Sequence, residues 1–320
     1  MTGLPVRLAA ELEAWPVERR FLIDELWGEQ AVGIVGGQPK CCKSFLALDL
    51  AVAVASGRPA LRRYAVATPG PVLLYAAEDA LHIVRERLEG ICAAAGAELD
   101  ALPLHVITAP SLRLDHEADR VALRETVAGL NPRLLVLDPF VRLHRKNENA
   151  ADEMSPLLAY LRELQREHAT AVLLVHHARK GGHARAGQML RGSSELHAWG
   201  DSNLYLRRSG DRLTMTTEHR AAASAEPVEL CLRSGLGLAL ELVDADPKTG
   251  AGAGANASDE RAPRPAERVL EVLAASGDPL TRRAIRDACR MRSTSVGDAL
   301  AELVAGGAVI ETRNGYLVPR

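Results

Sequence analysis

Gly36-Gly37-Gln38-Pro39-Lys40-Cys41-Cys42-Lys43-Ser44 lies between a short apolar run at 32–35 and a longer one that begins at Phe45. A strand, a glycine-containing loop and a helix, in that order, form a cradle for phosphate. Backbone N–H groups of the loop turn inward, and the N-terminus of the helix favours an anion. Residues 36–45 are therefore the candidate nucleotide loop, with Lys43 placed to meet the β- and γ-phosphates of ATP and the Ser44 hydroxyl placed to hold Mg²⁺. Cys42 departs from the pattern, which has glycine before the lysine, so a β-carbon must fit where backbone approaches phosphate closely. A cysteine at a helix N-terminus can have a lowered pKa and be oxidisable, although bound phosphate opposes the thiolate. The competing reading is a Gly/Pro turn with a chance Lys-Ser.

Outward from that loop, apolar runs at 32–35, 72–75, 104–107, 134–137 and 172–175 read as buried strands. Amphipathic stretches near 44–57, 80–97, 117–129, 153–168 and 193–199 read as helices between them. This alternation predicts an α/β fold with a mainly parallel sheet and helices on both faces. From Leu204 the rhythm shortens, and runs at 204–206, 213–217, 228–232 and 238–243 predict an antiparallel extension. The segment 15–27, with Phe21-Leu22-Ile23, packs on its own core or on a neighbouring subunit; its own core is the favoured reading.

Two further strand ends carry acid. Leu134-Leu135-Val136-Leu137-Asp138 places a carboxylate where Mg²⁺ can be held, and Tyr75-Ala76-Ala77-Glu78-Asp79 offers Glu78 as the acceptor of a proton from water. Asp79 serves equally as a helix cap. A strand-end carboxylate alone is more simply a loop or cap residue; the upstream phosphate loop tips Glu78 and Asp138 toward chemistry.

This set of motifs resembles the RecA-like P-loop ATPases, within them the hexameric replicative helicases, and most of all the plasmid RepA type. The likeness covers residues 20–243. It implies that Glu78 is the catalytic glutamate and Asp138 the Mg²⁺ aspartate. It also implies that His177 of Val175-His176-His177 senses the γ-phosphate at the end of the fifth core strand. A hydrogen-bonded histidine pair is the competing reading there; adjacent histidines point to opposite faces of a strand, which disfavours a shared metal. Leu190-Arg191-Gly192-Ser193-Ser194 resembles the family's motif near single-stranded DNA, and Arg179-Lys180-Gly181-Gly182-His183-Ala184-Arg185 is a basic glycine-rich loop able to track a phosphate backbone. Arg179, Lys180, Arg185 and Arg191 are the candidate DNA contacts, set against an ordinary solvated loop. Both segments lack aromatic residues, so such contact is electrostatic. Arg142, His144, Arg145 and Lys146 add positive charge after the Mg²⁺ strand, and Asn147-Glu148-Asn149 resembles the RepA-type pattern. In Thr217-Glu218-His219-Arg220 the resemblance makes Arg220 an arginine finger acting in a neighbour's site, with Arg207 and Arg208 as fallback choices. An arginine working in trans implies self-association into a ring, a hexamer in that family.

Residues 244–265 are rich in Gly, Ala and Pro without periodicity and read as a flexible linker. Residues 266–320 follow with helical stretches at 266–275, 281–289 (Thr281 as cap) and 296–305, then a hairpin turning at Arg313-Asn314-Gly315. That order resembles a winged helix-turn-helix, implying duplex DNA as partner with Arg292 and Arg313 among its contacts. Asp298 and Glu302 on the would-be recognition helix keep a protein–protein module in play.

Composition narrows the setting. A 320-residue chain that is 47% hydrophobic with a formal net charge of −2 excludes extended disorder and a globally basic, nucleic-acid-coating protein. Five cysteines without a C-x-x-C pair argue against a disulfide framework and a cysteine zinc site. The apolar stretch from Phe45 to Ser56 is too short to span a bilayer and carries Asp49, and Arg7, Glu11 and Glu13 stand where a signal peptide needs an apolar run. The expectation is a cytoplasmic, DNA-directed ATPase of a plasmid, phage or mobile element. The alternatives are an ATP-gated DNA-binding regulator that never unwinds, and a scaffold whose ATP site only holds structure.

Overall fold

The computed structural model describes residues 4, 6–12, 16, 20–177, 194–235, 237–243, 265–276, 279–289, 296–297, 299–300, 303–304, 308–312 and 315–318. Arg179, Lys180, Arg185, Arg191, Arg292 and Arg313, and the linker stretch 244–264, lie outside the described residues. The chain forms two compact units, Met1–Asp246 and Pro247–Arg320.

The first unit is built on β3 (Val32–Gly37), whose six residues are all buried. Parallel neighbours cover both edges of such a strand and helices cover both faces, so it carries no polar alternation. β7 (Ala171–His177) pairs with it on one side and β8 (Ser202–Ser209) on the other, both parallel. β6 (Leu134–Asp138), β4 (Val72–Ala76) and β5 (Leu104–Val106) continue the parallel ladder beyond β7. Beyond β8, the strands β9 (Arg212–His219), β10 (Val228–Ser234) and β11 (Leu238–Leu242) run antiparallel to their neighbours, completing a nine-stranded sheet. The expected extension is thus present, with one difference. β8 is parallel to β3 and belongs to the central ladder as well as to the hairpin with β9.

The start of β8 explains why it can join. Its polar side chains complete the bonding of the chain beside it: Ser202 Oγ accepts from Gly28 N–H at 2.9 Å, and Asn203 Oδ1 accepts from Ile34 N–H at 3.1 Å. Asp201 Oδ2 accepts from Val32 N–H at 3.3 Å. Gly33 is required there, because a β-carbon on it would land on the Ser202 carbonyl oxygen.

One face of the sheet packs α1 (Lys43–Ser56) and α2 (Leu81–Ala95), together with Leu22, Ile23 and Trp27 from a small hairpin, β1 (Phe21–Ile23) and β2 (Trp27–Gly28). The segment around Phe21 therefore packs on its own core. The other face packs α3 (Glu117–Leu130), α4 (Ala151–His168) and α5 (Ser194–Trp199). No described helix is long and apolar enough to cross a membrane.

Asp49, which interrupts the apolar run of α1, has a structural task. It is 2% exposed; Oδ1 accepts from Leu61 N–H at 2.7 Å and Oδ2 from the Arg62 guanidinium at 2.8 Å. Leu61 and Arg62 both have positive φ (48° and 60°), and Arg62 also donates to the Leu240 carbonyl. One carboxylate thus fixes a left-handed turn and ties α1 to β11. Burial pushes its pKa up, while Arg62 and the Leu61 N–H pull it back.

The second unit contains α6 (Pro265–Ser276), α7 (Arg282–Cys289) and a hairpin of β12 (Ile310–Thr312) with β13 (Gly315–Leu317). Val269, Leu273, Ile285, Leu300 and Val309 share its core. Thr281 Oγ1 accepts from Ala284 N–H at 3.3 Å at the start of α7, where a cap is expected.

Asp49→Ala is expected to destabilise the first unit by about 3 kcal/mol, because it strands a buried N–H and removes the partner of a half-buried guanidinium. Urea titration followed by circular dichroism measures this; a loss below ~1 kcal/mol contradicts the role assigned to Asp49.

Candidate functional site

A parallel sheet delivers the carboxyl ends of its strands to one edge, and loops leaving that edge form the binding crevice. Gly37 pairs with His177, and Ala76 pairs with Asp138, so three of the sequence-predicted strand ends are aligned there with the loop that follows β3. Alternation decides which residues face α1. Leu134 and Val136 of β6, and Leu173 and Val175 of β7, pack on the α1 side of the sheet. Asp138 and His177 continue those two series toward the loop, while His176 falls on the opposite face. There His176 is 1% exposed, its ring centroid 6.2 Å from Phe140 and its Nδ1 3.6 Å from a Glu148 oxygen.

The loop itself is held by left-handed residues. Lys40 has φ 64°, and Cys42, the residue preceding α1, has φ 62° and ψ 25°. Neither is glycine, and each left-handed residue costs about 1 kcal/mol that surrounding contacts must offset. The Gln38 carbonyl supplies such a contact: it accepts from Lys43 Nζ at 2.8 Å and from the Cys41 thiol at 2.8 Å. Lys43 is 5% exposed, and burial pulls its pKa down while Cys41, Asp138 and Glu78 support its charge. Cys41 is buried as well, and burial pushes its thiol up despite Lys43 beside it. The Cys42 side chain is partly buried against the core on the α1 face, and Arg208 donates to its Sγ at 3.4 Å.

The Ser44 hydroxyl lies beside Asp138 across the loop mouth, close enough to favour its charged form. Burial raises the Asp138 carboxyl to about 6, against the lowering effect of Ser44, and Asp79 pushes in the same direction as burial. A hydroxyl and a carboxylate side by side are hard oxygen donors, the set Mg²⁺ prefers. Glu78 is 42% exposed and accepts from Arg142 Nε at 2.7 Å. Asp79 does not cap α2: the residue before that helix is Ala80, and Asp79 pairs instead with Arg87, whose guanidinium lies 5.2 Å from the centre of the Phe45 ring. Arg142, which the sequence offered only as positive charge after the Mg²⁺ strand, is instead the partner of Glu78, and Arg87 was not among the sequence-predicted site residues.

Arg220 is elsewhere. β9 runs antiparallel to β8, with His219 opposite Ser202, and Ser202 lies beside Gly33 near the start of β3. Arg220 therefore sits at the amino edge of the parallel strands, a strand length of about 20 Å from the loop after Gly37. It pairs with Asp201 at 3.1 Å, donates to the Ala198 carbonyl, and lines a cavity of about 500 Å³ with Arg20, Glu29 and His219. Asp201 also pairs with Arg162 of α4. Of the fallback choices, Arg208 lies beside the nucleotide loop of its own chain and Arg207 projects from the other face of β8.

A family model described as an AAA domain matches residues 4–183. Among solved structures, the chain is similar to an ATPase domain with which it shares 14% identity, with 68% of this chain and 86% of that chain covered and a TM-score of 0.50. It is also similar to the RadB recombinase (17% identity, 68% and 92% covered, TM-score 0.49) and to a DnaB-like replicative helicase (12% identity, 66% and 57% covered, TM-score 0.46). The likeness to the solved ATPase domain shows the fold alone: an α/β unit with a mainly parallel central sheet that matches a RecA-like core.

Because the Asp138 carboxyl holds its proton up to about pH 6 in the fold but only to about 3.8 in the free side chain, the folded chain binds more protons between those values. Stability with no nucleotide or divalent cation added is therefore expected to fall as pH rises from 4 to 6. Urea midpoints across that window should show a decline that Asp138→Asn flattens; an unchanged slope in the variant contradicts the assignment.

Proposed function

The chain belongs to the AAA domain family, and on that premise we propose that it binds Mg-ATP at residues 36–45 and hydrolyses it in a cycle coupled to DNA. The closeness of Ser44 to Asp138 at the mouth of the phosphate loop carries this reading. It brings a hydroxyl from the first turn of α1 and a carboxylate from the end of β6 to one point beside Lys43. Ser44 and Asp138 are the residues that would hold Mg²⁺, which when bound neutralises phosphate charge. Lys43 exchanges the Gln38 carbonyl for phosphate oxygens. Glu78, released from Arg142, takes the proton of the attacking water as the water oxygen bonds to the γ-phosphorus and the bond to the ADP oxygen breaks. His177, next to Gly37 in the ladder, reads the γ-phosphate and passes the change to the segment 178–193.

Arg220 cannot serve its own loop from the far edge of the sheet, so its role as a finger requires a second copy. A ring in which each site is completed by a neighbour is proposed on the family resemblance, and it requires Arg220 to leave Asp201. Arg179, Lys180, Arg185 and Arg191 are proposed to contact single-stranded DNA. The second unit is proposed as a winged helix with Arg292 and Arg313 toward duplex DNA. The biological setting proposed is replication of a plasmid, phage or mobile element. The slower alternative, an ATP-gated DNA-binding regulator, is favoured by two contacts: Glu78 is held by Arg142 and Lys43 by Gln38, so both must rearrange before turnover.

Steady-state ATP hydrolysis with and without single-stranded DNA separates these. A several-fold rise with DNA, and a fall of at least about 100-fold in both Lys43→Ala and Glu78→Gln, is the expected result. Binding without DNA-stimulated turnover supports the regulator. ATP hydrolysis undiminished in Lys43→Ala removes the proposal altogether.

A further inference from the structure

Arg208 and Cys42 belong together, and their contact has a consequence for the site. β8 pairs with β3 in parallel up to Leu206 opposite Gly37, and then runs on past the end of β3. Leu204 and Leu206 pack on the α1 face, and Tyr205 on the other. Strand alternation therefore sends the Arg208 side chain over the phosphate loop and the Arg207 side chain away from it. The guanidinium reaches the residue that precedes α1, with Nη2 3.4 Å from Cys42 Sγ, and its charge is felt at Cys41 as well. A neutral thiol is a weak acceptor. Among the described residues no carboxylate forms an ion pair with Arg208, in contrast to Arg62, Arg87, Arg142, Arg162 and Arg220.

The charge balance of the loop leaves room for such a cation. Lys43 is buried in the loop mouth and already faces two acids, Asp138 and Glu78. A triphosphate brings several further negative charges. A guanidinium is suited to meet them, because its planar fork bonds two phosphate oxygens at once.

We infer that Arg208 is a nucleotide-binding residue in its own chain: held over the loop by the Cys42 thiol, it turns from sulfur to the phosphate oxygens when ATP or ADP binds. The inference rests on residues 36–45 being the nucleotide site. It differs from the arginine finger in that Arg208 serves the loop it is folded against, and it assigns the glycine-to-cysteine change at position 42 a purpose. The thiol supplies a contact weak enough to be released.

Isothermal titration calorimetry with Mg-AMP-PNP and Mg-ADP tests this on the full chain. Arg208→Ala is expected to raise the dissociation constant about tenfold with an unchanged thermal midpoint, Arg208→Lys to recover part of the loss, and Arg207→Ala to leave binding at the wild-type value. A mixing experiment tests the cis assignment. Arg208→Ala chains combined with Lys43→Ala chains should give no tight sites, since no single chain has both residues. Tight sites appearing in the mixture would place Arg208 in a neighbour's site and overturn the inference. Wild-type affinity in Arg208→Ala, with binding abolished in Lys43→Ala, would also overturn it while leaving the nucleotide loop in place. Failure of the wild-type chain to bind either nucleotide would remove both.

Discussion

The structure depends on the parallel pairing of β3 with a strand on each side. Because β7 and β8 both run in the direction of β3, their last residues emerge at the same edge as the phosphate loop. The ladder from β7 through β6 to β4 brings Asp138 and the segment ahead of Glu78 to that edge as well. The site is therefore assembled from residues far apart in sequence by backbone hydrogen bonds alone, before any functional side chain makes a contact. The cost is a strand with no tolerance on either face. Gly33 sits against the Ser202 backbone, and the entrance to β8 needs Asp201, Ser202 and Asn203 to complete the hydrogen bonding beside it.

Two opposing demands meet in the loop after β3. A phosphate cradle needs inward-facing N–H groups and a buried cation, and both are unfavourable without an anion. The chain answers by giving Lys43 and Cys41 a common acceptor in the Gln38 carbonyl, and by placing Ser44 on Asp138. On the proposed function, each of these contacts uses a group that phosphate or metal would take, so binding would exchange partners and not create them anew. The same logic covers Glu78 with Arg142.

Much of the first unit was legible in the sequence, because buried strands and amphipathic helices have different periods. The runs at 32–35, 72–75 and 134–137 each fall inside a strand, and the stretches near 44–57 and 117–129 each match a helix to within a residue or two. The positions of the loop at 36–45 and of Asp138 at strand ends were visible because each follows an apolar run directly. Three things were hidden. The direction of β8 was not readable, because a short apolar run does not reveal which neighbour it will pair with. The partners of Glu78 and Asp79 were not readable, because an ion pair between Arg142 and Glu78 spans 64 residues and leaves no local pattern. Arg207 and Arg208 were indistinguishable as letters; only the register against Gly37 separates them.

Asp201 offers a last consequence. It holds Arg220 and Arg162 together, and both guanidiniums also donate to backbone carbonyls at the end of α5. A free arginine side chain carries about 2 kcal/mol of rotamer entropy, and these contacts remove part of it from Arg220, whose side chain is 54% exposed. The amino edge of the sheet therefore presents cations already aimed by a shared carboxylate and by backbone carbonyls. An anion arriving there must compete with the Asp201 carboxylate already in place, so the positive charge at that edge is largely balanced within the fold.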